Sequence, residues 1–227
     1  MAIVNGNVLG NLRGKLGNLS ARTVNGKTIL AARPSSFNAS QDPASLEVRA
    51  KFAVTANFAK NVMSLPTLAE IWLKAKESGI SVFNTIFKSN FSHSASEKPT
   101  VQNILAPEGF ALSVPDALVD VDNVSGTLPA LNTASVFNAD EINLSVNALV
   151  CYYDPISPDD APFKMISLAK EVANHDFTQI YNLQMDYNVL QIPIAAKYQH
   201  SILYLIVASK TADGKVVQNS ATFTKLS

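Results

Sequence analysis

The chain has 227 residues, of which 47% are hydrophobic and 16% charged, and its formal net charge is zero. That is enough apolar material for a real core, which excludes bulk disorder. Zero net charge excludes a global attraction to nucleic acid or acidic membranes, and no run of about 20 apolar residues is present to span a bilayer.

The first 41 residues stand apart. Five of the nine glycines lie between Gly6 and Gly26, and five basic residues (Arg13, Lys15, Arg22, Lys27, Arg33) precede the first acidic one, Asp42. With the total at zero, residues 42–227 therefore carry −5. Along Gly6-Val8-Gly10-Leu12-Gly14-Leu16 the even positions are glycine or aliphatic, and the odd ones are mostly polar, as on a strand with two unlike faces. A helix competes, because Val8, Leu12, Leu16 and Leu19 also follow helical spacing. Each glycine costs a helix roughly 1 kcal/mol relative to alanine, however, which disfavours it here. Asn25-Gly26 between Thr23-Val24 and Thr28-Ile29 is a strong hairpin signal. Ala21 to Thr28 also fits a relaxed phosphate-binding loop, but that loop needs a buried strand before it and a helix after it, and neither is expected.

Next, Asp42-Pro43 followed by Glu47 opens a helix over 43–64, with Leu46, Ala50, Ala53, Val54, Phe58 and Val62 at helical spacing. Pro66 interrupts. A second helix over 67–78 carries the single tryptophan, Trp72, read as core, and stops at Gly79. Phe83 and Phe87 mark a third over 80–91. Ser92 to Pro99 reads as a polar loop and a domain boundary.

From Ala111 onward, strand-like runs alternate with turns: 111–114, 118–121, 142–146, 149–153, 163–168, 189–194, 202–209 and 221–226. This predicts an antiparallel β-sandwich with Ile202–Val207 as its central buried strand, and a turn at Asp213-Gly214.

Chemistry is sparse. His175-Asp176 could serve as an acid–base pair, but no strand–Ser–helix elbow offers a nucleophile. His93 lies in a polar loop, and His200 begins a strand and reads as solvated. Cys151 is alone, so it forms no intrachain disulfide and no cysteine-based zinc site, and it reads as a small core side chain. Asp120-Val121-Asp122 lacks the glycine and distal glutamate of a calcium loop, and Asp159-Asp160 reads as a turn. Tyr152, Tyr153, Tyr181, Tyr187, Tyr198 and Tyr204 could form a sugar-binding face. No catalytic residue, metal site or cofactor is expected.

The Gly-dotted opening (Gly10, Gly14, Gly17, Gly26-Lys27, Arg33-Pro34), the helix around Arg49-Ala50-Lys51-Phe52 and the closing Ala208 to Ser220 segment resemble a family of Bacteroidota and their phages known only as a domain of unknown function. The resemblance implies an arm, a helical insert and an immunoglobulin-like domain, with no catalytic residues. Relatives of that kind often sit among phage structural genes.

The expectation is an α+β protein in three parts. An extended arm with a hairpin occupies 1–41, a helical segment 42–99, and an immunoglobulin-like antiparallel β-sandwich 100–227. Ordering a backbone costs on the order of 1 kcal/mol per residue, and an arm this bare is expected to repay that by adding a strand to a neighbouring subunit. The contact residues expected are Val8, Leu9, Leu12, Arg13, Lys15, Leu16, Leu19 and Arg22. The function expected is that of a structural, non-enzymatic phage virion protein (capsid or tail). Its partners would be copies of itself or other virion proteins, with no membrane insertion and no specific nucleic acid. The N-terminus shows no signal-peptide h-region, so synthesis in the cytoplasm and incorporation in a virion are expected. The alternative is a ligand- or glycan-binding module on a Bacteroidota cell surface.

Overall fold

The structure is a computed structural model and describes residues 2–4, 12–24, 26–33, 36 and 38–227. It divides into two compact units, 1–46 and 47–227, and the cut falls in the first turn of a helix.

The first unit is a small antiparallel sheet. Strands β1 (Ala2–Val4), β2 (Gly14–Leu16), β3 (Leu19–Val24) and β4 (Lys27–Ala32) lie in the order β1-β4-β3-β2. The hairpin expected at Asn25-Gly26 forms, with Val24 opposite Lys27 and Gly26 at φ 74°. A second hairpin turns at Gly17, at φ 56°, and sets Leu16 opposite Leu19. Both turns need a backbone that residues with a Cβ adopt at a cost. The segment is therefore not an extended arm awaiting a strand from elsewhere. Its strands pair with one another, and among them only the outer edges of β1 and β2 lack a neighbouring strand. A strand, not a helix, follows Gly26, which is in line with the rejection of a phosphate-binding loop.

The helices are α1 (Pro43–Met63), which enters the second unit at Glu47, α2 (Pro66–Ala75) and α3 (Val82–Phe91). Pro66 stands at the start of α2, where its missing N–H is no loss. Ser81 caps α3 by accepting the Asn84 N–H at 3.2 Å. The strands that follow are β5 (Leu118–Val119), β6 (Asn123–Leu128), β7 (Glu141–Pro155), β8 (Phe163–Val172) and β9 (Tyr181–Asp186). After the short helix α4 (Ile192–Ala195) come β10 (Tyr198–Thr211), β11 (Val216–Asn219) and β12 (Phe223–Leu226). They build a five-stranded antiparallel sheet, β11-β10-β7-β8 with β12 also on β10, and a three-stranded one, β5-β6-β9.

The five-stranded sheet has two buried faces. Even residues of β7 (Leu144, Val146, Ala148, Val150) and odd residues of β10 (Leu203, Leu205, Val207) pack with Val124, Leu128, Leu183 and Met185 of the smaller sheet. The opposite parity (Leu149, Cys151, Ile202, Tyr204, Ile206) packs with Phe58, Val62, Leu68, Trp72 and Ile86 of the helices. That is why Ile202 to Ala208 reads as an unbroken apolar run, since a strand covered on both sides has no polar face.

The order is therefore helices, large sheet, small sheet, in one unit. The expected boundary at 92–99 lies inside it. The polar residues there bond inward. Asn90 Oδ1 accepts the Ile104 N–H at 2.8 Å, and Asn103 Nδ2 donates to Asn90 Oδ1 at 3.1 Å and to Ser94 Oγ at 3.0 Å. What reads as a polar boundary loop is tied to α3 by a buried polar knot. Two expected strands are absent: 111–114 carries no strand, and 189–194 is a turn leading into α4. The runs 142–146 and 149–153 are one continuous strand, β7.

Candidate functional site

The N-terminal sheet holds the residues singled out for contact. In an antiparallel pair, directly opposed residues share a face. Leu19, Ala21 and Thr23 of β3 therefore join Ala32, Leu30 and Thr28 of β4 on one face, which has no charge. Ser20, Arg22 and Val24 join Ala31, Ile29 and Lys27 on the other, and Lys15 stands opposite Ser20. Lys15, Arg22 and Lys27 are all exposed. The sheet thus sorts its side chains into a neutral face and a basic one.

Of the expected contact residues, Val8 and Leu9 lie outside the described residues. Leu12 is half-buried, and its carbonyl accepts from the Thr23 hydroxyl at 3.4 Å. Arg13 is exposed just before β2, Leu16 stands opposite Leu19, and Leu19 is half-buried on the neutral face. Lys15 and Arg22 come together on the basic face. Lys27, Val24 and Ile29 complete that face and were not among the expected residues. The register set by the Asn25-Gly26 turn is the signal that would have found them.

The candidates for chemistry are dispersed through the second unit. The His175 ring is wedged edge-on against Phe177 and Tyr181, with centroids at 5.1 and 5.6 Å, and its burial lowers its pKa. Asp176 Oδ1 accepts from the Thr178 N–H and hydroxyl at 2.9 and 2.7 Å, which holds that carboxyl below its ordinary range. The two residues serve separate local structures. Trp72 is buried and donates from Nε1 to the Leu105 carbonyl at 2.6 Å. Burial pushes the Cys151 thiol up to about 12, which leaves it protonated and unreactive.

Asp120 Oδ1 accepts from the Val121 N–H and Asp122 Oδ1 from the Asn123 amide, as in a turn. Among the described residues no group of three or more His, Cys, Asp or Glu is arranged to hold a metal ion. No helix among them is long and apolar enough to cross a membrane. Tyr152, Tyr187, Tyr198 and Tyr204 are buried, so these four do not form a sugar-binding face. Tyr152 and Tyr187 join their hydroxyls at 2.7 Å inside the core, and burial pushes Tyr152 up to about 12. A surface concavity of about 560 Å³ lies between α2 and β11. Its Lys74 is engaged by Glu70 at 3.0 Å and by the Val216 carbonyl.

A scan against protein-family profiles finds no match, and neither does a search of curated proteins. Among solved structures, the crystal structure of a β-glucosidase from Kluyveromyces marxianus aligns at 12% identity. The alignment covers 63% of this chain and 17% of that one, with a TM-score of 0.17. A superposition of that quality carries no argument about fold or activity, and the chain takes its description from its own residues.

Proposed function

We propose that this chain is a non-enzymatic assembly protein that docks on another subunit through its N-terminal sheet. The observation that carries this reading is the basic face. Five cations and no carboxylate lie within 1–41, and a folded sheet gathers Lys15, Arg22 and Lys27 on one exposed side. Charges gathered this way steer association with an acidic partner. The resemblance of the opening and closing segments to a phage-associated family supports a virion component, made in the cytoplasm and built into the particle. Two antiparallel sheets sharing one core are compatible with an immunoglobulin-like sandwich, here with helices on its outer face.

The test is the native mass of the full chain and of a form lacking residues 1–33. Loss of the assembled species on deletion is expected. Unchanged assembly refutes the reading.

A further inference from the structure

We infer that the receptor for the N-terminal sheet is one end of the second unit in another copy of this chain. The inference rests on the docking function proposed above and names its partner surface.

Three segments, each a loop with the strand or helix residues that flank it, meet at that end: 118–122, 154–160 and 186–200. The Tyr187 N–H donates to the Asp122 carbonyl at 2.7 Å, the Ile156 N–H to the Lys197 carbonyl at 2.9 Å, and Lys197 Nζ pairs with Asp160 at 2.8 Å. The loops are thus one continuous surface. It exposes large aliphatic side chains: Val189 is 83% exposed, Leu190 79%, Ile156 66% and Val121 57%. Scattered singly these would need no explanation, but gathered on adjoining loops they mark an interaction site.

The two most exposed are held rigidly. Asn188 Oδ1 accepts the N–H groups of Leu190 and Gln191 at 2.9 and 3.0 Å, and Gln191 Oε1 accepts the Asn188 N–H at 2.9 Å. This reciprocal cap fixes the turn that carries Val189 and Leu190. Little order remains to be imposed when a partner binds.

Charge identifies the occupant. Residues 42–227 hold 18 acidic and 13 basic residues. The three loops contain six of the former (Asp120, Asp122, Asp154, Asp159, Asp160, Asp186) and one of the latter, Lys197, which leaves twelve of each elsewhere. The three segments by themselves therefore carry −5, opposite in sign and equal in size to the +5 of residues 1–41. Val24 and Ile29, the apolar residues beside the cations, are of the same kind as Val189 and Leu190. Because donor and receptor are different surfaces, such a contact is head-to-tail and closes into a ring or extends as a filament.

The experiment uses full-length chains at low salt, with native mass spectrometry and sedimentation as readouts and circular dichroism as the fold check. One variant reverses the loops (Asp120→Lys, Asp122→Lys, Asp186→Lys). A second reverses the basic face of the N-terminal sheet (Lys15→Glu, Arg22→Glu, Lys27→Glu). A third removes the aliphatic pair (Val189→Ser, Leu190→Ser). Each alone should weaken self-association at least tenfold, and an equimolar mixture of the first two should assemble again, since each then supplies the sign the other lacks. Raising the salt should dissociate the wild type, because exposed charges are screened within about 10 Å at 0.1 M. A monomeric wild type overturns the inference. So does assembly of the loop and aliphatic variants at wild-type strength while the arm variant falls apart, and that result leaves docking by the arm standing.

Discussion

Replacing Trp72 with phenylalanine tests whether helices and sheets form one cooperative body. Trp72 lies in the helical layer, 1% exposed, within a cluster that includes Leu149, Ile202 and Tyr204 of the large sheet. Phenylalanine keeps most of the apolar contact but loses the indole N–H, so the buried Leu105 carbonyl loses its donor, at about 1–3 kcal/mol. The smaller ring leaves a void worth about 1 kcal/mol more. Together these give about 3 kcal/mol, which for a unit of this size lowers the melting temperature by roughly 6–12 °C. Calorimetry on the variant should show one transition, shifted downward. In the wild type, the fluorescence of Trp72, the single tryptophan, and the far-ultraviolet circular dichroism should trace the same urea curve. A helical transition that separates from the sheet transition, or a shift below 2 °C, refutes a shared core.

Glu141 is 3% exposed. Burial pushes its carboxyl up, but the Asn138 N–H and the Ser209, Gln218 and Asn138 side chains together outweigh this and hold it below its ordinary value of 4.5. A carboxyl depressed in the folded state contributes stability above its unfolded pKa and loses it as pH falls through the folded value. Glu141→Gln should therefore melt lower than wild type at pH 7, and the gap should narrow below about pH 4.5 in melts taken from pH 3 to 7; a constant gap refutes the assignment. Gly109→Ala drives a Cβ into the Asn219 oxygen and the Ser220 carbonyl carbon, both backbone. Opening the Phe110–Asn219 and Ala221–Phe110 bonds there should cost about 3 kcal/mol by urea titration, and more than Gly126→Ala, whose nearest contact is a Val114 methyl at 3.0 Å. Cys151 should resist a disulfide reagent at pH 8 until urea unfolds the chain; rapid native labelling would contradict its burial.

The sequence showed most plainly those elements whose local chemistry and tertiary role agree. Proline at 43 marks a helix start where a start occurs, proline at 66 separates two helices where they part, and the unbroken run from Ile202 marks the strand buried on both sides. Other elements were hidden because they bury polar residues inside. Asn147 splits the apolar runs of β7 like a turn residue, yet it is fully buried, with Nδ2 on Ser145 Oγ at 3.0 Å. Asn90, Ser94 and Asn103 do the same for the loop that resembled a boundary. Strand β6 hides behind Gly126, where the backbone passes Ala117 too closely for a larger residue to fit without adjustment. Val189 and Leu190 misled in the opposite sense, as apolar residues that face solvent. Of the candidate site, the basic residues were visible from composition, but their sorting onto one face required the register.

The strand that both layers share also constrains the order of events during synthesis. Residues 202–208 complete the hydrophobic interior on the helical side and on the small-sheet side alike. Neither side can seal while β10 is still inside the ribosome, although the helices and β7 emerge long before it. The nascent chain thus carries two unsealed apolar surfaces and a long unpaired β7 edge until residue 211 is free, a state in which premature contact between chains competes with native closure.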